Sequence, residues 1–484
     1  MIFDNLEPAK VWSYFEEICK IPRLSKNEEQ IRQYLLDFAR EHKLEHRTDK
    51  AGNVLIIRPA SPGFGNRKSV ILQSHMDMVG EKDAKTEHNW AKDPIEPYID
   101  GKWVKAKDTT LGADDGIGIA AQLAVLADKE IMAGPIECLF TVDEESGMTG
   151  AIMLEKNFFK SMILINLDSE DEGELFIGCA GGTDTIAEFS YKKEKADTNQ
   201  SGLRLSVTGL HGGHSGDEIH KGYANSIKIM TGLLQSLSAD YGIRLVEFNG
   251  GNLRNAIPRE AFASISVSNG YIDQIKKDTA DYLEKIKSEF TSTEPGMRIS
   301  VSSSSSPSHV IDVNTHESLL KALAECPHGV IAWSEDMEGL VETSTNLASV
   351  KFSEGKIKIV TSQRSSVESE KKDIAGRLEK IFRDNKAEAY HSGGYPGWKP
   401  NTNSEILNIT RNAYNRIFGT MPVVRAIHAG LECGLILEKY PGLDMISFGP
   451  TIKGAHTPQE RLDIETTKKF WDLLVEVLVS IPAN

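Results

Sequence analysis

Two histidines and several carboxylates recur just past short apolar runs in this 484-residue sequence. His75 and Asp77 in "SHMDM" follow "SVILQ", and Asp114 and Asp115 in "GADDG" precede "GIGIAAQLAVLADK". Asp143, Glu144 and Glu145 in "TVDEESG" follow "PIECLFTV". Asp168 in "NLDSE" follows "MILI", and His456 in "GPTIKGAHTP" follows "LDMIS". Each piece alone has a plain alternative: a satisfied polar histidine, a turn and helix cap, a solvated acidic loop. Three adjacent acids repel one another unless something positive lies among them. Two histidines and several carboxylates brought together fit zinc, or cobalt or manganese, better than calcium, which seldom takes imidazole. Two divalent ions sharing one carboxylate explain why so many anions converge. In "DEE" one glutamate can then ligate while its neighbour stays free, because adjacent residues point different ways. Bound ions lower the pKa of water and polarise a carbonyl. The free glutamate can take the water proton and hand it on.

The elements that must position these groups follow from periodicity. "NVLIIR", "SVILQSHMDMV", "PIECLFTV" and "MILINLD" read as buried strands, with "GIGIAAQLAVLADK" as a small-residue helix between two of them. "SKNEEQIRQYLLDFA" reads as a helix opened by a capping box of Ser25 and Glu28. The pattern returns in "LDMISFGP" and a last helix, "DIETTKKFWDLLVEVLVSI". Strand and helix alternation predicts an α/β fold with a mostly parallel sheet, whose sites form at the strands' carboxyl ends. From 186 to 388 the order is instead strand, helix, strand, strand, helix, and then it repeats. This predicts an inserted α+β domain built from a duplicated unit, flanked by catalytic segments 1–185 and 389–484. The run "SVSSSSSPS" within it reads as a loop or strand end.

Lys and Arg number 55 against 70 Asp and Glu, a net charge of −15, which disfavours a nucleic-acid partner. No apolar run is long enough to span a membrane, and the acidic N-terminal segment does not read as a signal peptide. Five scattered cysteines without CxxC spacing argue against a disulfide framework and for a reducing, cytoplasmic setting.

The ordered set "SHMDMV", "LGADDGIG", "VDEESGMTG", "NLDSE" and "GAHTP" resembles the co-catalytic di-zinc hydrolases. That family includes aminoacylases, glutamate-type carboxypeptidases, succinyl-diaminopimelate desuccinylase and several dipeptidases. "HGGHSGDEIHKG", "NAIPREA", "HSGGYPGWKPN" and "HAGLECG" resemble its Xaa-His (aminoacyl-histidine) dipeptidase branch. The resemblance implies one zinc on His75, Asp114 and Asp168, and another on Asp114, Glu145 and His456. Asp114 would bridge, with Asp115 as the alternative. Asp77 would orient His75, and Glu144 would be the general acid/base. A ligand that varies across the family is aspartate here, Asp168, which fits the dipeptidase side.

The inserted domain would be a lid. His214 in "GGHSG" resembles a lid histidine that stabilises the oxyanion, and Asn255 and Arg364 resemble lid residues that hold substrate. Their alternatives are a turn histidine, a turn asparagine and a solvated arginine. A dipeptide carries an ammonium and a carboxylate one peptide bond apart. Glu432 in "IHAGLECG" is the expected receiver of the ammonium and Arg364 of the carboxylate. The alternative for Glu432 is a helix-capping or core-edge carboxylate. Expected substrates are short unblocked dipeptides, Xaa-His and β-alanyl-histidine among them. Rival readings are an N-acyl amino acid amidohydrolase or carboxypeptidase, and a noncatalytic metal-storing or peptide-binding protein. Family members often form homodimers through the lid; the duplication offers a second route, in which the extra copy stands in for a partner's lid.

Overall fold

The computed structural model describes residues 2–484. The chain divides into two compact units. One comprises the stretches up to Cys179, Trp398–Ala426 and Leu431–Asn484; the other is Ala180–Gly397 with Ile427–Gly430. The insertion thus starts before 186 and ends after 388. The strand Gly181–Ser190 belongs to its sheet, and Gly182 exchanges two backbone hydrogen bonds of 3.0 Å with Tyr395. The chain returns to this unit at Ile427 and Ala429, whose carbonyls both accept from the Ala180 amide at 3.0 Å.

The first unit holds an eight-stranded sheet. At its centre Ile136–Thr141, Val70–His75, Ile163–Asn166 and Asp444–Ser447 run parallel in that order. All four are almost wholly buried apolar strands, as a sheet covered on both faces requires. Parallel direction sends their carboxyl ends to one edge, and the functional loops leave there. The flanks depart from the expected parallel arrangement. Glu45–Thr48, Val54–Arg58 and Ile136–Thr141 pair antiparallel, as do Asp444–Ser447 and Glu174–Cys179. The first of these pairings turns on Asp49, whose Oδ1 accepts the amides of Ala51, Gly52 and Asn53 at 2.9–3.0 Å. The helix Ala113–Ala127 is buried on nearly every face, which its alanines and glycines permit. A small antiparallel sheet, unforeseen from sequence, pairs Ile452–Lys453 with Arg461–Asp463 and presents the loop that carries His456.

The expected capping box at Glu29–Glu41 does not form, and Glu28 makes no side-chain cap. Glu28 Oε1 accepts instead from the amides of Lys26 at 2.9 Å and Asp143 at 3.0 Å. Ser25 donates to Asp77 Oδ2 at 2.8 Å. Ser25 is engaged by Asp77 and Glu28 by Asp143, partners distant in sequence that a local capping pattern does not reveal.

The second unit carries one long antiparallel sheet. Its strands run Arg298–Ser304, Gln200–Thr208, Ala261–Ser268, Arg244–Gly250, then Val341–Ser353, Lys356–Ser365, Gly181–Ser190, Glu388–His391. Each half is a βαββαβ unit, the halves mirror one another in strand order, and they meet at Gly250 opposite Val350. The repeat differs in phase from the sequence reading. Arg298–Ser304 closes the first copy rather than opening the second. The second copy begins at Gly181–Ser190, and the first is nested inside it. Helices Ser226–Tyr241, Ile272–Glu289, Val313–Glu325 and Glu368–Asp384 supply apolar side chains to a core shared by both halves.

Candidate metal centre and active site

His75 ends its strand opposite Thr141 and is 1% exposed. Its Nε2 lies 3.1 Å from Asp114 Oδ1 and 3.4 Å from Asp168 Oδ1. His456 Nε2 lies 3.1 Å from Asp114 Oδ2 and 3.0 Å from Glu145 Oε2. Asp114 therefore presents one carboxylate oxygen to each histidine. Asp115 turns the other way: its Oδ1 accepts from the Gly118 amide at 3.1 Å. Ligand atoms of His75, Asp114 and Glu145 all lie within 4.8 Å of one another.

Asp77 organises two loops at once. Its carboxylate accepts the amides of Glu144 and Glu145 at 3.0 and 3.1 Å, and its Oδ1 sits 3.4 Å from His75 Nδ1. Burial opposes its ionisation, but His75, the Glu144 amide and Ser25 hold its pKa at about 2. In "DEE" the three acids separate. Asp143, at φ +54°, accepts from Ser146 and Thr149 side chains and closes the turn. Glu145 reaches His456. Glu144 is raised to about 8, first by burial and then by Glu432, Glu145 and Asp114.

The surrounding field demands positive charge. Burial disfavours a charged His75, yet Asp168, Asp114 and Asp77 push its pKa well above the usual value. His456 is raised to about 11 by Asp114 and Glu145. Asp168 is raised by burial and by Asp114 and Glu144. Glu145 Oε1 is buried without a hydrogen-bond partner. Divalent cations between these groups would satisfy the same field, leave the rings neutral and give Glu145 Oε1 a partner. The donor set fits nitrogen- and oxygen-liganded zinc, cobalt or manganese.

Glu432, the expected receiver of a substrate ammonium, is enclosed by the first unit. It opens the helix Glu432–Lys439 and is 0% exposed. Its Oε2 accepts from Gln73 Nε2 at 2.7 Å and Thr141 Oγ1 at 2.6 Å. Burial raises it to about 8. The core-edge alternative describes it better, a carboxyl tied to the two strands that carry His75 and Glu144.

In the second unit His214 and Asn255 are brought side by side. The Ser215 amide donates to the Asn255 carbonyl at 2.9 Å, and His214 bridges Ala256. His214 Nδ1 lies 3.1 Å from the Asp217 carboxylate, and the Asp217 amide donates to it at 3.2 Å. Arg364 is paired opposite Ser344 in the sheet, and its Nη1 lies 3.4 Å from the Tyr395 hydroxyl. Ser344 Oγ is 2.7 Å from His428 Nε2. A side chain at Gly216 would strike the His428 carbonyl at 2.5 Å and the His214 ring at 3.0 Å, so glycine permits this close approach. Arg364 Nε and Asn346 Oδ1 are buried without hydrogen-bond partners among the described residues.

Residues 71–480 match the model of peptidase family M20/M25/M40. The chain belongs to this family. It is 42% identical over 480 residues to the cytosol non-specific dipeptidase of Escherichia coli, covering 99% of each chain. The crystal structure of aminoacylhistidine dipeptidase from Vibrio alginolyticus is 44% identical, with a TM-score of 0.95 over 100% of this chain and 98% of that one. Aminopeptidase PepT from Bacillus cereus shares the fold, with a TM-score of 0.61 at 17% identity over 98% of this chain and 99% of that one.

This M20 peptidase uses residues that the sequence reading passed over. Arg23 and Glu460 support the loops of the candidate metal centre, and Asp217 and Ser344 lie beside His214 and Arg364. Asp217 follows His214 by three positions and Glu460 follows His456 by four, so spacing to a candidate histidine was the available signal. Arg23 carried none, because its partners are backbone carbonyls distant in sequence.

Proposed function

We propose that this M20 peptidase is a dipeptidase that cleaves short unblocked dipeptides, Xaa-His and β-alanyl-histidine among them, in the cytoplasm. Two divalent ions, zinc or else cobalt or manganese, would be held by His75, Asp114 and Asp168 and by Asp114, Glu145 and His456. The observation that carries this reading is Asp114, with one oxygen toward each histidine. When bound, the ions supply an acidified water and a polarised carbonyl. Glu144 accepts the water proton and returns it to the leaving amine, a role open to it because its amide, not its carboxylate, is held by Asp77. Asp77 fixes the His75 ring and the Glu144 and Glu145 amides together. His214, oriented by Asp217, donates to the developing oxyanion, and Asn255 and Arg364 hold the substrate, Arg364 at its carboxylate. The names of the two relatives support the dipeptide class, and five free cysteines support a reducing compartment. The expected assembly is a homodimer through the inserted unit, which sedimentation equilibrium tests.

The deciding experiment compares metal-dependent turnover of Ala-His, Ala-His amide and acetyl-Ala-His by wild-type protein and Arg364→Ala. Ala-His should be the best substrate, and Arg364→Ala should harm it more than the amide. Faster cleavage of acetyl-Ala-His would make the protein an acyl-amino-acid hydrolase. Absence of metal-dependent turnover on all three would leave a binding protein.

A further inference from the structure

The loop 111–114, which delivers Asp114, is gripped from two sides by buried groups of opposite charge. Glu460, 2% exposed, accepts through Oε2 the amides of Leu111 and Gly112 at 2.8 and 2.9 Å. Its Oε1 accepts those of Ala113 at 2.7 Å and Asp114 at 3.4 Å. Arg23, 3% exposed, donates to the Gly112 carbonyl and also to those of Met76 at 3.0 Å and Asp77 at 2.7 Å. Glu460 shares a loop with His456, and its amide donates to Thr457 at 3.0 Å. Arg23 grips the segment that follows His75. The loop needs such support: Gly112 has φ +68°, and Asp114 has non-helical angles although it lies within the first turn of a helix. A side chain at Gly112 would meet Arg23 at 2.7 Å.

We propose that Arg23 and Glu460 are positioning residues, each tying the bridging Asp114 to one histidine. Glu460 couples Asp114 to the His456 loop, and Arg23 couples it to the His75 loop. The two links share Gly112, one through its amide and the other through its carbonyl, but their far ends differ, Glu460 standing in the His456 loop and Arg23 holding the carbonyls that follow His75, so each governs chiefly the ion on its own histidine. Removing the Glu460 grip lets the His456 loop drift and weakens the ion shared by Asp114, Glu145 and His456. Removing the Arg23 grip weakens the ion shared by His75, Asp114 and Asp168. A buried carboxylate that takes four amides from the loop of another ligand is more than a local turn device. Glutamine in its place would turn an NH2 toward two of those amides, and lysine in place of Arg23 lacks the planar fork whose two nitrogens serve Gly112 on one side and Met76 and Asp77 on the other.

The inference rests on Asp114 as the bridge. Its test is calorimetric titration of metal-free protein with Zn²⁺ and Co²⁺, with Co²⁺ absorption to separate the sites, on Glu460→Gln, Glu460→Asp, Arg23→Lys and Asp114→Ala. Circular dichroism of each variant reports folding. Glu460→Gln should weaken one ion about 10- to 100-fold and the other little, Glu460→Asp should fall between it and wild type, and Arg23→Lys should weaken the opposite ion. Excess metal should restore turnover in each. Equal weakening of both ions, or wild-type affinity at both, would overturn the proposal. So would failure of all three clamp variants to fold, which would make the pair a folding element. Two ions retained in Asp114→Ala would instead overturn the bridge itself.

Discussion

His75 in the first unit and His316 in the second are both almost wholly buried, at 1% and 4% exposure, yet their rings are pushed to opposite charge states. His316 accepts from the Leu245 amide at 3.1 Å and lies 2.9 Å from Ser238 Oγ, and burial lowers its pKa to about 4. His428, also in the second unit, is lowered to about 3 by burial and then by Arg364. His75 suffers the same burial, but three aspartates outweigh it. Desolvation always disfavours the charged ring; only a local excess of anions reverses the sign. Raised histidines thus mark a local excess of anions, and lowered ones mark burial without it. "Buried histidine" is by itself no functional signal.

The largest effect that tests this contrast comes from Asp114→Ala. Activity should disappear, and bound metal should fall from two ions towards one or none, because two cations would lose the carboxylate between them. Elemental analysis of the purified variant measures it; two full equivalents would break the assignment. Next comes Glu144→Gln, which should keep the metals while turnover falls by roughly two to four orders of magnitude. A near wild-type rate would require another base, and Asp143 is a poor one, being engaged by Ser146 and Thr149. His214→Ala should lower kcat by roughly 100-fold, about 3 kcal/mol, with little change in KM, since an oxyanion donor acts in the transition state. A pure KM effect would make it a ground-state contact.

The smallest effect sharpens the other side of the comparison. His316 has a folded pKa near 4 and an unfolded value of about 6.5, so between these the unfolded chain binds more protons. Its contribution to stability is present above pH ~6.5, is lost as pH falls towards ~4, and changes no further below. His316→Gln should therefore reduce proton uptake on unfolding at pH 5 by about one. Unchanged uptake would mean that the folded ring is already charged.

Where the departures fell is instructive. His75, Asp114, Glu145, Asp168 and His456 were legible because each follows or precedes an apolar segment whose period declares a strand or helix, and parallel strands send such loops to one edge. For Glu432 the core-edge alternative describes the structure better: His428 of the same segment belongs to one unit and Glu432 to the other. Glycine-flanked polarity signalled a loop, and packing placed the carboxylate inside.

The sequence by itself determined the candidate ligand types, their order and the alternation that presents them, since side-chain chemistry and periodicity are local properties. Only the tertiary structure decided which aspartate reaches both histidines, the antiparallel flanks, and the nesting of one α+β copy within the other. It alone revealed that Ser25 serves Asp77 rather than a helix end, and that Glu460 and Arg23 hold the Asp114 loop. The physical reason is common to these cases. Each depends on hydrogen bonds between groups far apart in the chain, Glu460 and Asp114 standing 346 positions apart. No local pattern encodes a partner that only folding brings within hydrogen-bonding reach.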